Sequence, residues 1–152
     1  MPDDYLRFID KLEYYINDCR LEFIKPKESK HYKELNSHNR FGQYPIGVLG
    51  DVEIFFVHYK NEEEAREKWE RRAKRINWDN LIIKFNDQNG CTEQQLNDFN
   101  NCMKYKKMIC FTAKKYPGKY NVHMWEFKKD GYVVDDKYYV FQHVNLKKLI
   151  DA

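Results

Sequence analysis

The chain has 152 residues, enough for one domain with a sizeable core. Its 27 basic and 24 acidic residues give a formal charge of +3, too even a balance for a dedicated nucleic-acid binder, which concentrates basic charge on one face. The sequence has no apolar run of about 18 residues to span a membrane. Its opening MPDDY lacks the regions of a signal peptide, and its four cysteines follow no zinc or paired motif, so a cytoplasmic protein with reduced thiols and no metal is expected.

In chain order, Asp3 is placed to cap a first helix reaching about Asp18, with Leu6, Ile9, Leu12 and Ile16 at helical spacing. Residues 21–24 read as a short strand closed by Pro26, and 27–44 as the longest polar loop. Pro45 biases Tyr44 away from helix, and Gly50-Asp51 turns the chain into 51–59, DVEIFFVHY. Val52, Ile54, Phe56 and His58 share one face of that stretch and Phe55, Val57 and Tyr59 the other. Two apolar faces predict a central strand covered on both sides, as in parallel sheets.

Asn61 then caps a helix with Glu62, Glu63 and Glu64 at its positive end and Arg71, Arg72, Lys74 and Arg75 at its negative end. Glu62–Arg66, Glu64–Lys68, Glu67–Arg71 and Glu70–Lys74 stand at i,i+4 as a solvated face. Ala65, Trp69 and Ile76 share an apolar stripe, with Arg72 near its middle. Residues 81–85 give a second strand. Thr92 and Gln95 form a capping box for a helix burying Leu96 and Phe99, and 107–113 give a third strand. Strand–helix–strand–helix–strand implies an α/β fold, three-layer and Rossmann-like, with a mainly parallel sheet. Beyond Tyr116 an irregular α+β part is expected, with strands at 122–127 and 132–134 and a helix at 144–150 that turns Leu146 and Leu149 inward. No repeat, linker or boundary interrupts what reads as a single domain over 1–152.

The junction at 58–80 is the expected site. An inward guanidinium requires an anion, so Arg72 either pairs with Asp51 or Asp79, snorkels to water, or serves as a pocket cation for phosphate or carboxylate. His58, ending a strand beside a helix N-terminus, is either a packed residue or a general base for an acceptor hydroxyl. Lys68 and Arg75 would assist Arg72, while Tyr59, Asn77, Asp79 and Asn80 would orient hydroxyls. The expected partner is thus an anionic or sugar-containing small molecule, with no nucleic acid. No GxGxxG, Walker or GxSxG motif is present.

The block YPIGVLGDVEIFFVHYKNEEEAREKWERRAKRINWDNLIIKF, followed by FTAKKY and preceded by PDDYLRFIDKLEYYI, resembles a bacterial domain-of-unknown-function family, number nineteen-nineteen in its series, labelled exopolysaccharide biosynthesis protein. The resemblance implies an α/β fold and a setting in surface-polysaccharide assembly. It suggests a glycosyl- or acyl-transferase, or else a non-catalytic carbohydrate-binding or scaffold protein of that pathway. Members begin with a strand and an Asn-Asn-Cys-x-Gly-Gly type turn; nothing comparable precedes Asp3, so an N-terminally shortened form is expected.

Overall fold

The structure, a computed structural model, describes residues 1–102 and 104–151, and for Leu146 the backbone alone. Its helices are α1 (Pro2–Asp10), α2 (Leu12–Asn17), α3 (Tyr32–Leu35), α4 (Glu62–Ala73), α5 (Glu93–Asn100), α6 (Val140–His143) and α7 (Leu146–Asp151). Its strands are β1 (Glu22–Ile24), β2 (Ile46–Leu49), β3 (Val52–Phe55), β4 (Ile82–Asn86), β5 (Lys107–Thr112) and β6 (Asn121–His123). The chain is therefore mixed α/β with two small sheets, one antiparallel in the order β1-β2-β3 and one parallel in the order β4-β5-β6. It divides into two compact units: residues 11–76, and residues 1–10 together with 77–152.

In the unit of residues 11–76, β2 and β3 form a hairpin around Gly50, at φ +59°. This corrects the expectation that 51–59 is a parallel strand shared with 81–85 and 107–113. The strand stops at Phe55 and pairs antiparallel with β2, Ile46 opposite Phe55 and Leu49 opposite Val52. Its two apolar faces have another cause than flanking crossover helices. The loop read as merely polar supplies rings to it: Phe55 lies 6.3 Å from Tyr44 and 6.1 Å from His31, and Phe41 joins Tyr32 and Tyr44. Buried Glu53 fixes the start of that loop, accepting from Ser29 Oγ at 2.6 Å and from the Lys30 backbone N–H at 2.8 Å. Gly47 keeps β2 thin. A Cβ there would come within 2.7 Å of both Leu21 and Phe56, two core side chains that close over the strand.

In the other unit, β5 is buried along nearly its whole length because both faces of the parallel sheet are covered. On one face, Phe85 stacks on Tyr5 of α1 (5.5 Å) and on Phe99 of α5 (5.1 Å). On the other, Ile109, Phe111 and Ala113 pack with Met124, Phe127 and Val133. The irregular last third thus forms a layer of the core; the stretch expected as a strand at 132–134 has no ladder, and Trp125–Phe127 is a 3-10 turn. Leu149 reaches the same cluster, as expected, whereas the Leu146 side chain lies outside the described residues. Parallel neighbours ordinarily need a long crossover, yet the segment between Thr112 and Asn121 contains no helix. Asn100 holds it, donating to Asn121 Oδ1 at 2.8 Å and accepting from the Tyr120 N–H at 3.0 Å.

The expected first helix is two helices. Lys11 leaves helical geometry (φ −120°, ψ 35°), and the chain passes from one unit to the other at that point. Among the described residues no helix is long and apolar enough to cross a membrane.

Candidate functional site at the edge of the parallel sheet

Parallel strands present their last residues together, and ligands of open α/β sheets bind beyond that edge. Here Asp87, just past β4, is the fastener. Its carboxylate accepts from the Ala113 N–H and from the Val133 N–H, each at 2.7 Å, tying the ends of β4 and β5 to the last third of the chain. Gln88 adds bonds to the carbonyls of Val133 and Val134, and His123 Nε2 lies 3.2 Å from the Ala113 carbonyl. These groups are occupied in holding the edge together.

A second pair of titratable side chains follows β6. The 3-10 turn Trp125–Phe127 sends Glu126 inward, where His143 Nε2 stands 3.0 Å from both carboxylate oxygens. The two side chains are 6% and 15% exposed. The indole of Trp125 meets the His143 ring edge-on, with centroids 4.3 Å apart. Nε2 is the ring nitrogen that faces Glu126, which fixes the orientation of the imidazole, and Nδ1 has no hydrogen-bond partner among the described residues. The exposed rings of this part of the chain are Trp125 at 58%, Tyr138 at 68% and Phe141 at 74%. A shallow depression of about 570 Å³ is lined by His143, Phe141, Val144 and Lys147. Cys110 and Cys91 offer no nucleophile in this unit. Burial first, then neighbouring acids and thiols, pushes Cys110 up to about 12 and Cys91 up to about 11, so both are neutral thiols near pH 7.

The residues expected to form a site at 58–80 divide between the two units. His58 stands on an exposed turn beyond the end of β3, which corrects its placement on a strand. Tyr59 packs against Phe56 at 5.9 Å, and the guanidinium of Arg72 lies over the Tyr59 ring, also at 5.9 Å; the structure does bring these two together. Arg72 and Arg75 are exposed, and Lys68 approaches Glu67 at 3.9 Å. Asn77 precedes the 3-10 turn Trp78–Asn80, Asp79 is exposed, and Asn80 accepts from Lys107 Nζ at 2.7 Å.

Arg72 does not occupy the apolar stripe. The inward face of α4 is rotated toward Ala65, Trp69, Ala73 and Arg66, leaving Arg72 on its outer edge. The inward guanidinium is that of Arg66, which donates to the Leu21 carbonyl at 2.7 Å and lies 5.1 Å from the centre of the Phe23 ring.

The family model described as Domain of unknown function (DUF1919) matches residues 1–152. The chain belongs to this family. A Haemophilus influenzae protein described as uncharacterized is 34% identical over 151 residues, which is 99% of this chain and 65% of that relative. The DUF1919 chain thus spans about 65% of the length of that relative, and the match carries no statement of activity.

Sequence reasoning missed His143, Glu126 and Trp125 in this DUF1919 chain. The histidine and its carboxylate are 17 positions apart in a stretch without clear periodicity. Trp125 was expected within a strand at 122–127, with nothing to set it apart as part of a surface.

Proposed function

We propose that this chain serves bacterial surface-polysaccharide assembly by binding a sugar-containing acceptor on the aromatic edge of its parallel sheet and transferring a glycosyl or acyl group to an acceptor hydroxyl. The observation that carries the reading is the His143–Glu126 pair beneath exposed Trp125. Sugar rings have apolar C–H faces that lie well on exposed indole and phenol rings, while their hydroxyls need polar partners at the margin. A carboxylate that orients an imidazole through one nitrogen leaves the other to take a proton, the logic of oriented-base catalysis. As the acceptor oxygen bonds to the anomeric or acyl carbon of an activated donor, its proton passes to His143 Nδ1. The donor's leaving group departs with its bonding pair.

The unit of β4, α5 and β5 repeats the strand–helix–strand arrangement of Rossmann-like sheets, which supports placing the ligand at this edge. The cations and hydroxyl-orienting residues expected at 58–80 are not needed for this step. A role with activated sugar donors fits a cytoplasmic protein.

The test measures transfer from a panel of nucleotide-sugars and acyl donors onto cell-surface oligosaccharides, with His143→Gln, Glu126→Gln and Trp125→Ala alongside. Loss of turnover with retained acceptor binding in His143→Gln, together with weakened binding in Trp125→Ala, is the expected result. Turnover unchanged in His143→Gln removes the imidazole from the chemistry. Acceptor binding without transfer from any donor favours the second reading, a carbohydrate-binding protein, for which the exposed rings of Trp125, Tyr138 and Phe141 suffice.

A further inference from the structure

The unit of residues 11–76 contains a cleft of about 590 Å³ between the end of α2 and the inward face of α4. Its volume lies in the range of small-molecule sites. Arg20, Arg66 and Lys74 line it, with Glu70 the one acid, while Ile16 and Trp69 give it apolar wall. The four acid–base pairs expected along α4 do not close within 4.0 Å, so Arg66 and Lys74 are not neutralised by the glutamates one turn before them. Among the described residues, Arg20, Arg66 and Lys74 have no carboxylate at ion-pair distance.

Arg66 is the informative member. It is half-buried, its plane rests near Phe23, and one nitrogen is pinned to the Leu21 carbonyl. A guanidinium drawn from water and held still, with no internal anion, is suited to meet one from outside, and its remaining N–H groups can bind a phosphate in fork geometry. Trp69 is held edge-to-face by Phe56 at 6.3 Å and adds a rigid aromatic wall.

We infer that this cleft is a binding site for a nucleoside diphosphate, its phosphates held by Arg20, Arg66 and Lys74 and its base lying toward Trp69. The inference is independent of the transfer reading, because its site, residues and test lie in the other unit.

Calorimetric titration of the full chain with ADP and UDP, against adenosine, uridine and inorganic pyrophosphate, tests it. At least one diphosphate is expected to bind at one site, more tightly than pyrophosphate, with the bare nucleosides silent. Loss of one charged hydrogen-bonding partner weakens binding by about tenfold or more, and that drop is expected in Arg20→Gln and in Arg66→Gln. Arg20 is exposed, so Arg20→Gln keeps the test valid if Arg66→Gln unfolds. Arg72→Gln, on the outer edge of the same helix, is expected to bind as the parent does. No heat with either diphosphate, an unchanged affinity in Arg20→Gln, an equal loss in Arg72→Gln, or pyrophosphate binding as tightly as the nucleotide would each overturn the proposal.

Discussion

Cys110 and Tyr5 carry the clearest chemical signature of burial in the molecule. Burial raises Cys110 from 9.0 to about 12 and, aided by the neighbouring Tyr105, raises Tyr5 from 10.0 to about 12. Each group binds its proton more tightly folded than unfolded. Their contribution to stability is therefore whole below the unfolded values and is lost as pH climbs from about 9 through about 12. Melting temperature is expected to fall across that window, and the fall should be shallower in Cys110→Ala. An identical pH slope in the variant would show that the thiol does not titrate with folding.

At the scale of elements, β2 illustrates how a single position limits a sheet. A methyl group at residue 47 would press on Leu21 and Phe56, both in the core. Gly47→Ala is expected to destabilise by about 1–3 kcal/mol, the usual cost of overpacking, and chemical denaturation would read it as a lower midpoint with unchanged slope. A midpoint equal to the parent's would mean that both side chains can withdraw. Elements with local signals were legible in the sequence. Asn61 accepts from the Glu64 N–H at 2.8 Å, and Thr92 and Gln95 close their reciprocal box, because caps depend on residues three apart. The hairpin was not legible, since an apolar run such as 51–59 does not declare its pairing partner and the rings covering it come from a distant loop. Arg66 was misjudged for a related reason: Glu62 stands at i−4 as a plausible mate, and only the direction in which α4 packs reveals otherwise. The His143–Glu126 pair had no local signal at all.

Along the sequence of the whole molecule, residues 11–76 are inserted between α1 and the remainder of its own unit. Long-range bonds close the unit that is split along the sequence. Tyr105 donates to the Ile9 carbonyl, Lys104 to that of Asp10, and Gln95 to the Asp3 carboxylate, while Tyr5 stacks on Phe85. Removing residues 1–10 is expected to lower amide protection in β4 and α5 by hydrogen exchange while β2 and β3 keep theirs. Equal protection with and without α1 would show that the helix is dispensable to the sheet it lies on.

This insertion has a consequence on the ribosome. Residues 11–76 are contiguous and can complete their packing as soon as they emerge. The nine-residue α1 leaves the tunnel ahead of its seat, because β4, α5 and Tyr105 are made from residues up to 96 positions later. At usual elongation rates that is a delay of roughly 5–20 s. A helix so short does not persist alone in water. The nascent chain therefore carries this segment unfolded, with the apolar side chains of Leu6 and Ile9 awaiting a surface not yet synthesised. That interval is when a trigger-factor-like holdase would have most to protect.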